Sequence, residues 1–100
     1  SGTDVNIPTV YKLSQNYPNP FNPETVIAYQ LPEGTAVEIS IYNILGQKIK
    51  TLVKGRIEAG YHKVIWNGKD AENRHVSSGI YFYKISTDKF NETKKMLLMK

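Results

Sequence analysis

The chain has 100 residues, 40% of them hydrophobic and 11% aromatic, with no cysteine and a formal net charge of +4. This is about the length of one small domain, with apolar content enough for one modest core. The absence of cysteine excludes a disulfide scaffold, a thiolate metal site and a cysteine nucleophile, and no apolar run approaches the roughly 18 residues of a membrane span.

Residues 1–10 are polar and without periodicity, so they read as a linker or lead-in, with Ser1-Gly2 resembling a cloning remnant. Residues 11–100 read as one folded domain. Gln15 to Pro23 packs three prolines, three asparagines and two aromatics into nine residues. Proline fixes φ, and it steers Tyr17, Asn19 and Asn22 out of helical geometry. Tyr17 and Phe21 are large apolar side chains suited to burial. The segment therefore reads as a stiff, ordered crossing, with Pro18, Pro20, Phe21 and Pro23 as structural positions.

Period-two alternation follows. Ile27, Tyr29 and Leu31 alternate with Val26, Ala28 and Gln30, and Pro32-Glu33-Gly34 makes a turn. Val37, Ile39 and Ile41 alternate with Glu38, Ser40 and Tyr42 in a half-buried strand. Asn43 to Gly46 reads as a hairpin connection ending on a left-handed glycine. Gln47 to Val53 is the returning strand, and Gly55 and Gly60 are expected to bracket a loop. His62, Val64 and Trp66 then share one strand face. Asn67-Gly68 and Asp70 to Asn73 form a polar turn, with Asn73 suited to a left-handed position. Ile80 to Ile85 is apolar on both faces up to Lys84, as in a central strand. Asp88 to Asn91 turns the chain, and Thr93 to Met99 is the final strand. About seven short strands separated by turn signals predict an all-β antiparallel sandwich.

Catalytic chemistry is not visible. His62 shares its face with Val64 and Trp66 and reads as a strand histidine; His75 sits in a polar loop. Ser77 and Ser78 precede Gly79 without a nucleophile elbow and read as turn caps. Asp70, Glu72 and Asn73 cluster like calcium ligands but lack the spacing of the EF-hand loop. No phosphate-binding glycine motif is present. Basic residues are scattered, with Lys94-Lys95 the one adjacent pair, so the one-sided cation cluster of a nucleic-acid binder is not expected. Neither a catalytic residue, a metal ligand nor a cofactor is assigned. Tyr61, Trp66, Tyr81, Phe82 and Tyr83 suggest core packing; the competing reading is a sugar-stacking platform.

The motifs LSQNYPNPFNPETVIAYQLP (13–32), VEISIYNILGQKI (37–49), AGYHKVIWNGKD (59–70), VSSGIYFYKI (76–85) and KKMLLMK (94–100) occur in order. Together they resemble the C-terminal sorting domain of the type IX (Por) secretion system of Bacteroidetes-like bacteria, in its Ig-like form. One departure is Asn73, where the family often has glycine. The resemblance implies an Ig-like sandwich related to flagellar hook-cap modules, and an address tag with no chemistry of its own. Implied partners are the outer-membrane translocon, a cell-surface sortase-like protease that removes the tag, and an N-terminally attached passenger. The implied route is export through the periplasm to the cell surface or medium, with cleavage within or before residues 1–10. The residues expected to carry recognition are Gly79 and Tyr81, which shape the last hairpin, and Lys94, Lys95, Met96, Leu97, Leu98, Met99 and Lys100. An edge strand there offers free backbone groups to a partner and to weak self-association. Gly46, Gly60, Trp66 and Gly68 are structural. The alternative is a carbohydrate-binding or structural Ig-like accessory module of a secreted enzyme.

Overall fold

Seven strands and no helix make up the described part of the protein, residues 7–99 of a computed structural model. They are β1 (Lys12–Leu13), β2 (Thr25–Leu31), β3 (Thr35–Tyr42), β4 (Lys48–Ile57), β5 (Gly60–Trp66), β6 (Gly79–Ser86) and β7 (Asn91–Leu98). Two antiparallel sheets result, ordered β1-β2-β5 and β4-β3-β6-β7. Their inner faces bury the alternating residues that the sequence marks: Ile27, Tyr29 and Leu31 on β2, Val37, Ile39 and Ile41 on β3, Tyr81, Tyr83 and Ile85 on β6. The architecture is the expected all-β sandwich. β6 lies between β3 and β7, in keeping with its two-sided apolar run.

Trp66 is fully buried at the end of β5. Its ring meets Phe21 at 5.6 Å and Tyr81 edge-on at 5.5 Å, and its indole N–H donates to the Lys69 carbonyl at 2.9 Å. Aromatic packing beyond area burial and a satisfied polar tip both favour this placement. The Asp70 to Asn73 turn is held by Asp70 Oδ1, which accepts the Glu72 and Arg74 amides, both at 2.9 Å. Those amides, the Arg74 amide foremost, pull the Asp70 carboxyl below its usual range. Asn73 adopts φ +65° and Gly46 φ +80°, the left-handed positions expected of them.

Four readings are corrected. Of the two aromatics expected to be buried in the proline segment, Phe21 is in the core but Tyr17 is 79% exposed. Gly55 does not begin a loop: it pairs with Val37 inside β4, and Arg56 and Ile57 continue the ladder opposite Ala36 and Thr35. Without a Cβ, Gly55 takes φ +146° and the strand runs on, leaving only Glu58 and Ala59 before β5. Asn91 belongs to β7 rather than to the turn, where it pairs with Ser86. Lastly, cations that are scattered along the chain are gathered in space. Strand pairing puts Lys48, Lys54, Arg56, Lys84 and Lys95 on the outer face of the four-stranded sheet, opposite Tyr42, Glu38, Ala36, Ser40 and Phe82 respectively.

Candidate functional site

The 94–100 segment alternates as a strand must. Met96 and Leu98 are buried in the core, whereas Lys95 and Met99 are exposed and Leu97 is half-buried. Lys94 is half-buried and pairs with Glu92 at 3.3 Å. Lys100 lies outside the described residues. Gly79 takes φ +147° and stands opposite Leu98, so the start of β6 and the end of β7 close one pole of the sandwich together. Tyr81 is buried, and its hydroxyl donates to the Ser77 carbonyl at 2.7 Å. The residues singled out from sequence thus divide into a core set (Tyr81, Met96, Leu98) and a surface set (Lys95, Leu97, Met99).

β7 is the edge of its sheet, but much of that edge is not open. The proline segment lies along it as a strap. Gln15 Nε2 donates to the Lys95 carbonyl at 2.8 Å, and the Leu97 amide donates to Asn19 Oδ1 at 3.0 Å. The Phe21 amide donates to the Leu97 carbonyl and the Met99 amide to the Phe21 carbonyl, each at 3.0 Å. Phe21 and Leu98 form a parallel bridge. The outward-facing groups from Lys95 to Met99 are therefore largely occupied within the domain, while Thr93 stands beyond the strap.

Two devices fix the strap. Asn16 is buried, with its Nδ2 donating to Thr25 Oγ1 at 2.9 Å and to the Pro18 carbonyl at 3.1 Å. Thr25 Oγ1 donates to the same carbonyl at 2.9 Å. The second device is Tyr83, fully buried on β6, whose hydroxyl donates to the Ser14 carbonyl at 2.6 Å and accepts the Asn16 amide at 2.8 Å. Burial pushes its phenol up to about 12. The three X–Pro bonds of the segment, Tyr17-Pro18, Asn19-Pro20 and Asn22-Pro23, are cis. Sequence reasoning missed Asn16, Asn19 and the Tyr83 hydroxyl; the signal available was the density of amide side chains among the prolines.

Beside the strap, Asn22, Pro23, Asn67, Gly68, His75 and Leu98 line a cavity of about 370 Å³. Gly68, at φ +75°, is closely approached: a Cβ there would stand 3.2 Å from the Pro23 carbonyl oxygen. Of the aromatics weighed as a sugar platform, Trp66, Tyr81 and Tyr83 are buried, while Tyr61 and Phe82 lie on different sheets. No three His, Cys, Asp or Glu residues among those described converge as a metal site, and no helix is long and apolar enough to cross a membrane.

The profile of a family described as the secretion system C-terminal sorting domain matches residues 15–99. Among solved structures, dimeric latent PorU from Porphyromonas gingivalis superposes with a TM-score of 0.72 at 16% identity, over 97% of this chain and 10% of that one. PorZ, described as an essential bacterial surface component of the type-IX secretion system of the same organism, superposes with a TM-score of 0.60 at 19% identity, over 86% of this chain and 11% of that one. At these identities the likeness is one of fold, and the chain spans about a tenth of either structure. No curated protein matches the chain.

Proposed function

The chain belongs to the secretion system C-terminal sorting domain family, and from that premise we propose that it carries a passenger, joined ahead of residue 7, through the type IX outer-membrane translocon. A domain of this family is a sorting signal for secretion to the cell surface or the extracellular space. The finer reading is recognition of a folded surface after transit through the periplasm. Lys95, Leu97 and Met99 face the translocon, and Gly79, Tyr81, Lys94, Met96 and Leu98 hold the strand that presents them. A surface protease then cuts within or before residues 1–10, and Lys100 extends the presented segment.

The observation that carries this reading is the polarity of the domain. Tyr11 stacks on Phe90, at 5.4 Å, just before β7 begins. Met99 follows the last of the eight residues of β7. At about 3.3 Å per residue the strand alone holds the two points roughly 26 Å apart. A passenger attached upstream of Tyr11 therefore hangs from one pole and leaves the other unobstructed.

A fusion tests it. Residues 3–100 placed behind a fluorescent protein in a type IX-competent bacterium should bring fluorescence to the cell surface or medium. Retention in the periplasm, with the domain folded, overturns the proposal.

A further inference from the structure

The outer face of the four-stranded sheet, opposite to the core, holds an uneven share of the charge. Lys48, Lys54, Arg56, Lys84 and Lys95 are five of the thirteen basic side chains, and Glu38 is one of the nine acidic ones. Asp88 borders the Lys54 end of the face beside Ala36 and Glu38, so five cations stand there against two carboxylates. Glu38 bonds Lys48 at 2.7 Å, which holds its carboxyl low, and Arg56, Lys84 and Lys95 have no carboxylate partner among the described residues. Elsewhere Lys89, Lys94 and Arg74 are paired with acids, whereas Lys12, Lys50, Lys63 and Lys69 form no ion pair among the described residues.

The same face is not flat. Lys48, Tyr42, Phe82 and Lys95 stand directly opposite one another across the four strands. Tyr42, Phe82 and Lys84, with Ile44 of the β3–β4 turn, line a depression of about 320 Å³. A second depression of about 220 Å³ adjoins it across Tyr42 and Lys84. Ile44 at the rim and its neighbour Leu45 are 69% and 77% exposed. Two bulges in β4 shape the arrangement: Ile49 and Leu52 are the extra residues, and each resets the alternation so that Lys48, Thr51 and Lys54 all face outward.

We propose that this face docks an acidic peptide segment carrying one apolar side chain. The charge imbalance attracts and orients carboxylates. The depression at Tyr42, Ile44 and Phe82 takes the apolar side chain, with Lys84 and Lys95 alongside to meet its acidic neighbours. Tyr42 and Phe82 are half-buried and stand on adjacent strands beside Lys84, so the face offers one small apolar spot among cations, which suits a peptide with a single apolar side chain between acidic ones. This surface lies apart from the strapped edge except at Lys95, and it stands independently of the export role.

Fluorescence anisotropy with the full chain and a labelled peptide, one phenylalanine flanked by glutamates, tests the proposal in solution. Saturable binding that weakens with added salt is expected. Lys84→Glu should weaken it by about tenfold, as like charges are then juxtaposed. Lys54→Glu and Phe82→Ala should weaken it too; all three side chains lie outside the core, and circular dichroism verifies each fold. Lys63→Glu, the same charge change on the other sheet, should leave affinity nearly unchanged. Absence of saturable binding overturns the proposal. So does equal loss in Lys63→Glu, undiminished binding of the peptide with serine in place of phenylalanine, or tighter binding of alginate or oligothymidylate than of the peptide.

Discussion

Tyr83 shows how much one hydroxyl can organise. Its two hydrogen bonds join β6 to the backbone of Ser14 and Asn16, 69 and 67 residues away in sequence. Tyr83→Phe keeps the ring and leaves the buried Asn16 amide and the Ser14 carbonyl short of a partner, an expected cost of about 1–3 kcal/mol. A lower urea midpoint with an unchanged slope is the check. The same residue sets an alkaline limit. Its phenol, ordinarily near 10, is raised to about 12 by burial, so the unfolded chain releases the proton first. Its stabilising contribution is complete below pH 10 and is lost as pH rises through about 12. Burial raises Tyr29 and Tyr81 in the same direction. Alkaline unfolding followed by circular dichroism should show this loss, and Tyr83→Phe should reduce it. Glycines give a second contrast. Gly46→Ala places a side chain in open space at φ +80° and should cost about 1–2 kcal/mol of backbone strain. Gly68→Ala should cost more, because its Cβ also meets the Pro23 carbonyl at 3.2 Å. Thermal unfolding of the two variants ranks them.

The strap is the element that changes the reading of the C-terminal strand. An edge offered for augmentation is an aggregation hazard unless covered, and here a segment of the same chain covers it. Asn19→Ala removes the acceptor of the Leu97 amide, at an expected cost of about 1 kcal/mol. Faster hydrogen exchange at Leu97 and Met99, together with concentration-dependent association in gel filtration, should report the uncovered edge. Alternation makes β2, β3, β5 and β6 legible in the sequence, because one face of each is buried and period two records it. Turn chemistry likewise marks Gly46 and Asn73. The extension of β4 past Gly55 is hidden, since glycine is a punctuation mark in sequence whether or not the ladder continues. The two-residue β1 is too short to carry a period. The strap's pairing with β7 is illegible for a different reason: Asn19 and Leu97 are 78 residues apart and meet through a side-chain amide, which leaves no periodic trace.

For the molecule as a whole, the residues proposed for recognition overlap those of the core, and the two roles are separated by experiment. Leu98→Ala opens a cavity in the core and should destabilise the domain by about 2–5 kcal/mol, so loss of export in that variant reports unfolding. Met99→Asp alters a side chain that is 52% exposed. It should keep the melting temperature and still reduce export of the fluorescent fusion. Equal export by wild type and Met99→Asp would remove Met99 from the recognition surface. The family is legible in sequence because its motifs are those that build the strap, the Trp66 corner and β7, whereas the charged outer face is not, because only strand pairing reveals which lysines are neighbours. The parallel course of the strap and β7 has a mechanical consequence. Tension between Tyr11 and Met99 draws these two segments in opposite directions along their own axes, loading their cross-links in shear. The bonds at Lys95, Leu97 and Met99 then share the force instead of parting one after another, so a domain pulled from its two poles resists being peeled open.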